Sequence, residues 1–186
     1  MAAFSPLLGT ALTSFAATNL DSLAVLAPMV WATASTAQRL RTVIGSVIGS
    51  ALVLACAALA ASGLSAVPPS WIRWVGLLPM SLGLRHLLKR RRSAARIPEA
   101  PSCTSLFGSA AVTVAMGSDN VTVLGPLLRI LGTGGGSTLI AVHILLFTTC
   151  SAALSLAPGL LRRGHHMIQP AAAFLTIAVG ARILAG

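Results

Sequence analysis

Six apolar runs, each about 20 residues long, take up most of this 186-residue chain. They fall at about 7–31, 43–65, 71–88, 106–128, 136–157 and 167–185. Coiled as a helix, a run of that length crosses a bilayer core of roughly 30 Å. The connections between the runs leave no room for a soluble domain. A composition of 55% hydrophobic and 9% charged residues, with a mean hydropathy of +0.88, points the same way. The expected fold is all-α: an integral membrane protein with six transmembrane helices.

A net charge of +10 would suggest a nucleic-acid partner in a soluble chain. The positions of the charges argue for a lipid bilayer and against nucleic acid. Arg39 and Arg41 follow the first run. Arg85, Lys89, Arg90, Arg91, Arg92 and Arg96 follow the third, and Arg162 and Arg163 follow the fifth. Only Arg73, Arg129 and Arg182 remain for the other side. By the positive-inside rule the odd-numbered connections are cytoplasmic, so both termini face outward from a multi-pass chain in the cell (plasma or inner) membrane. No basic residue precedes the first run, unlike a cleavable signal peptide.

The three acidic residues are Asp21, Glu99 and Asp119. Glu99 lies in a Pro-rich linker, but both aspartates lie inside apolar runs, and each is followed seven residues later by a proline, Pro28 or Pro126. Subtracting 98 from the second copy aligns Asp119 with Asp21, Val123 with Val25, Leu124 with Leu26 and Pro126 with Pro28. Near the ends of the halves, Gly180 and Arg182 align with Gly83 and Arg85 at an offset of 97. The chain therefore divides into a three-helix repeat with a basic cytoplasmic tail (1–92), a linker (93–103) and a second three-helix repeat (104–186). Three crossings is an odd number, so the second repeat enters the membrane from the opposite side and is inverted. Inverted repeats place a substrate site near the midplane, at the interface between the halves.

An ionised aspartate at the centre of a spanning helix costs roughly 2.5–3.5 kcal/mol on insertion scales. No Lys or Arg lies within a turn of either aspartate in sequence to offset that cost. Protonation and cation binding remain, and a transporter alternates between the two. Thr10, Ser14, Thr18 and Asp21 form a polar stripe on one side of the first helix, and Ser105, Ser109, Thr113 and Asn120 form a second stripe on the fourth. Lipid satisfies neither, so both should face the bundle interior. The candidate cation or substrate ligands are Asp21, Asp119, Asn19, Asn120, Thr18, Ser22, Ser118, Thr122 and Met116. Pro28 and Pro126 should kink their helices, which makes the carbonyls of Ala24 and Thr122 further candidates.

Gly45-x-x-x-Gly49 lets two helices approach closely, either within one bundle or in a homodimer. Cys56, Cys103 and Cys150 contain no CxxC pair and read as packing thiols. The glycines at 132 and 134–136 sit in a segment that lacks a P-loop lysine and reads as a connector. No HExxH or nucleophile elbow is present, so the chain is not expected to be an enzyme and no cofactor is implied.

At Ala17-Thr18-Asn19-Leu20-Asp21, at Gly117-Ser118-Asp119-Asn120-Val121, and at Trp71-Ile72 with Gly76-Leu77-Leu78-Pro79-Met80 and Leu82-Gly83, the chain resembles the CadD-type cadmium resistance transporter family of the LysE superfamily. The resemblance spans nearly the whole chain. It implies a secondary transporter that exports a divalent heavy-metal cation from the cytoplasm, with proton entry as a natural coupling. There are two departures: Ser22 stands where many family members carry a second acid, and Met116 where relatives have a cysteine or polar residue. Both make the site less acidic and less thiol-rich than the family name suggests. The alternative within the superfamily is export of an amino acid or small organic cation.

Overall fold

The computed structural model describes residues 4–68, 71, 74, 77, 78, 80, 81, 84, 85, 88, 105–156, 174–181, 183 and 184, excluding the side chains of residues 4, 5, 118 and 119. Among these, every regular element is helical: α1 (Phe4–Trp31), α2 (Thr36–Gly63) closed by a 3-10 turn over Leu64–Ala66, α3 (Leu106–Met116) and α4 (Ser118–Leu156). The described residues of 71–88 and 174–184 are also helical. Lys89–Arg92, Glu99, Cys103 and the basic segment at Arg162 lie outside the described residues.

α2 begins well before its apolar run. Ser35 is extended (φ −125°, ψ 151°) and its hydroxyl accepts the Gln38 N–H at 3.2 Å, so the cap fixes the start. Arg39 and Arg41 therefore ride on the helix instead of in a loop. The Arg39 guanidinium donates to the Ser155 carbonyl at 3.3 Å, where a cation complements the C-terminal end of α4.

α4 is 39 residues long, about 58 Å as a straight helix and far more than one bilayer core. It is not straight. Gly132 takes φ 67°, a left-handed conformation that costs glycine little. A Cβ on Gly136 would lie 3.3 Å from Leu128, eight residues earlier, a contact that requires the chain to fold back. The expected connector at 132–138 is thus helical except for one residue, and α4 is a hairpin of two arms. Leu124, Leu127 and Leu128 of the first arm pack with Leu139 of the second against Leu54 and Ala57 of α2.

Two helix pairs run parallel. Leu7 lies by Gly135, Phe15 by His143 and Trp31 by Leu154, so α1 follows the second arm of α4. Gly45 lies by Ser109, Gly49 by Thr113, Gly117 by Val53 and Gly125 by Ala60, so α2 follows α3 and then the first arm of α4. In lipid such seams are held by close packing, and small residues permit it. A Cβ on Gly45 would collide with the Leu106 carbonyl and Ser109 hydroxyl, and one on Gly49 would sit 2.6 Å from the Ala110 carbonyl. Gly45 and Gly49 are thus used inside the chain. The final helix closes the bundle, with Val179 and Ile183 packed on Ala17 and Val123.

Among the described residues, Thr36–Ala66 and Asn120–Leu156 are long and apolar enough to cross a membrane. α1, at 28 residues, is long enough but carries the polar stripe.

Candidate functional site

Thr10, Ser14 and Thr18 are all buried, so the α1 stripe faces the bundle interior as lipid insolubility demands. Each hydroxyl donates to a carbonyl of its own helix: Thr10 to Pro6 at 2.8 Å, Ser14 to Ala11 at 3.1 Å, Thr18 to Ser14 at 2.8 Å. Asn19 donates twice, to the Phe15 carbonyl at 3.2 Å and to the Thr18 hydroxyl at 2.8 Å. The protons of the stripe are thereby committed to the protein, and the Thr18 oxygen also accepts from Asn19. Acceptor capacity left over on such oxygens is of the kind a cation binds. Asp21 is half-buried, and its carboxylate accepts the Ser22 N–H at 2.8 Å.

The second copy is built differently. The helix expected over 106–128 is interrupted at Gly117, which sits at φ −83°, ψ 0° between α3 and α4. Its N–H donates to the Thr113 carbonyl at 2.8 Å, and its carbonyl accepts from the Asn120 N–H at 3.0 Å. Glycine is a poor helix former, and Ser-Asp immediately after it favours a helix start. Ser118 and Asp119 head α4, but their side chains are outside the described set. Asn120 is buried and Thr122 half-buried. Pro28 and Pro126 lie inside continuous stretches of α1 and α4.

The structure brings together Ser22 and Met116. Both line a narrow cleft between α1 and α3, with Val25, Leu26, Met29, Val112 and Thr113. Its volume of about 10 Å³ is near that of a single water site. The buried Ser22 hydroxyl has no partner among the described residues. The second stripe divides: Ser105 caps α3 by accepting the Gly108 N–H at 3.0 Å, and Ser109 and Thr113 are buried against the glycines of α2.

Three residues absent from the candidate ligand set stand out. Thr113 lines the cleft, and its membership of the second stripe was the signal for it. Thr176 donates to the Ala17 carbonyl at 3.0 Å and ties the last helix to α1 beside Thr18; it is a lone hydroxyl in the middle of an apolar run. His143 is 2% exposed and meets Phe15 edge-on at 5.6 Å. Of the cysteines described, Cys56 is exposed, while Cys150 is half-buried against the core shared by α1 and α4. No three His, Cys, Asp or Glu side chains converge as a metal cluster among the described residues.

Two apolar helices long enough to cross a membrane, beside a buried polar stripe, point to a membrane location. Residues 15–185 match the family model described as cadmium resistance transporter, and the chain belongs to that family. No curated protein and no solved structure matches it.

Proposed function

We propose that the chain is a secondary transporter that exports a divalent, cadmium-like cation from the cytoplasm in exchange for protons. Family membership carries the substrate class. The site is Asp21 and Asp119, with neutral oxygens from Thr18, Asn19, Ser22, Ser118, Asn120 and Thr122 and the thioether of Met116. The observation that favours α1 as its wall is the buried stripe whose hydroxyl and amide protons are turned onto the protein.

Six crossings arranged as two inverted repeats, 1–92 and 104–186 around the 93–103 linker, accommodate the packing. Exchanging the first helices of the repeats, and likewise the second helices, converts the pairing of α1 with the second arm of α4 into that of α3 and the first arm with α2. Both pairings are parallel. Arg39 and Arg41 mark the cytoplasmic end, which leaves both termini outside the cell membrane. At that end Gln38, Arg41, Ser105 and Leu106 line an open groove of about 420 Å³.

A growth panel of cells expressing the chain across cadmium, zinc, cobalt, nickel, copper and manganese tests this reading. Raised tolerance to cadmium and its chemical neighbours is expected. Unchanged tolerance to every metal, with efflux of an amino acid instead, would overturn it.

A further inference from the structure

His143 sits in the seam between α1 and the second arm of α4, and its surroundings assign its two nitrogens different roles. Nδ1 lies 3.0 Å from the Leu139 carbonyl. A carbonyl only accepts, so in that bond Nδ1 carries the proton and Nε2 holds a lone pair. Nε2 is buried and has no partner among the described residues, although the residue is only 2% exposed. Burying a polar atom without a partner costs about 1–3 kcal/mol, which an apolar residue of similar size would avoid.

The ring meets Phe15, and Asn19 lies one turn along α1 on the face of Phe15. Asn19 is itself 5% exposed, with both amide protons given to Phe15 and Thr18. What Asn19 still offers is an oxygen acceptor, as His143 offers a nitrogen acceptor. Two acceptors cannot satisfy each other, but both can bind an electron-pair acceptor between them. Imidazole nitrogen suits zinc and its borderline neighbours better than calcium or magnesium.

We propose that His143 Nε2, stranded in the seam between α1 and the second arm of α4, binds a borderline divalent cation such as Zn²⁺ or Cd²⁺, with the Asn19 amide oxygen, one turn along α1 from Phe15, as its partner ligand. This gives the transported ion a nitrogen ligand and rests on the exporter reading above. His143 thereby selects transition-metal ions over hard divalent ions of the same charge.

The test uses the full-length chain purified in detergent micelles, with His86, His165 and His166 replaced by Gln so that His143 is the sole imidazole. X-ray absorption of the zinc-loaded protein should show one imidazole nitrogen at roughly 2.0 Å. A shell of oxygen alone overturns the His143 assignment and leaves the exporter standing, whereas no zinc or cadmium binding at all counts against the exporter itself. In the same background His143→Leu should weaken zinc binding by about tenfold or more, since loss of even an outer-shell partner costs roughly 10–100-fold. His143→Cys should restore binding with a preference for cadmium, which a packing role does not produce. Zinc affinity within about twofold of the parent in a monodisperse His143→Leu protein contradicts the proposal. If that variant aggregates, the absorption spectrum of the parent decides.

Discussion

In the first copy of the aspartate motif the helix runs unbroken through Asp21; in the second it is broken at Gly117, two residues before Asp119. The alignment puts Asn19 where the second copy has Gly117. Asn19 is a mediocre helix former, but its amide bonds the Phe15 carbonyl one turn back and the Thr18 hydroxyl, both within the helix it belongs to. Gly117 lacks a side chain altogether, and Val53 fills the space a Cβ would need. The neighbouring seams differ in the same sense. α1 meets its parallel partner through Phe15, His143 and Phe147, whereas α3 meets its own through Gly45 and Gly49. Near-equivalent positions are therefore built differently: one copy is a continuous helix with a buried polar stripe, and the other is broken at Gly117. Asp119 falls in the first turn of α4, where the helix dipole favours an anion, while Asp21 is in mid-helix.

The glycine seam should be the most sensitive part of that contrast. Gly45→Leu drives a side chain into the α3 backbone, and loss of folded protein on gel filtration in detergent is expected; Gly9→Ala, with open space around it, should leave the protein unchanged. A folded, stable Gly45→Leu protein would dissolve the distinction between the two seams.

Gly117→Ala comes next. The backbone there suits alanine, but its Cβ would sit 2.7 Å from Val53, so a loss of about 1–3 kcal/mol is expected on thermal unfolding. Val53→Ala in the same chain should recover part of it, as contacting residues do not add independently. If stability returns and metal tolerance does not, the break itself matters to transport.

Met116→Leu conserves volume and should cost less than about 1.5 kcal/mol, yet it removes the only sulfur among the candidate ligands. Tolerance to cadmium should fall more than tolerance to manganese in the same growth panel. Equal losses would mean that Met116 only packs.

Ser22→Ala should move stability least. The hydroxyl is buried and without a partner among the described residues, so its removal is expected to be neutral or slightly stabilising in thermal unfolding. Reduced metal tolerance in a protein at least as stable as its parent would mark Ser22 as a ligand.

Much of this was legible in the chain. Thr10, Ser14 and Thr18 announced a buried face because lipid tolerates no other, and the small-residue spacing at Gly45 announced close packing. The break at Gly117 was hidden by an apolar run that continues across it; hydropathy measures solubility and says nothing about helix continuity. The hairpin at Gly132 was seen as a connector, but not that one left-handed residue suffices to turn the chain. His143 was outside the candidate set, since a sequence shows neither which ring nitrogen is bonded nor which is stranded.

The central claim is that the two unlike copies form one cation site. Its most direct test is cadmium efflux from proteoliposomes, with internal pH followed at the same time, for the parent chain, Asp21→Asn and Asp119→Asn. Cadmium-driven proton movement is expected in the parent and its loss in each single variant, both remaining monodisperse in detergent. Parental efflux from either variant would contradict that claim.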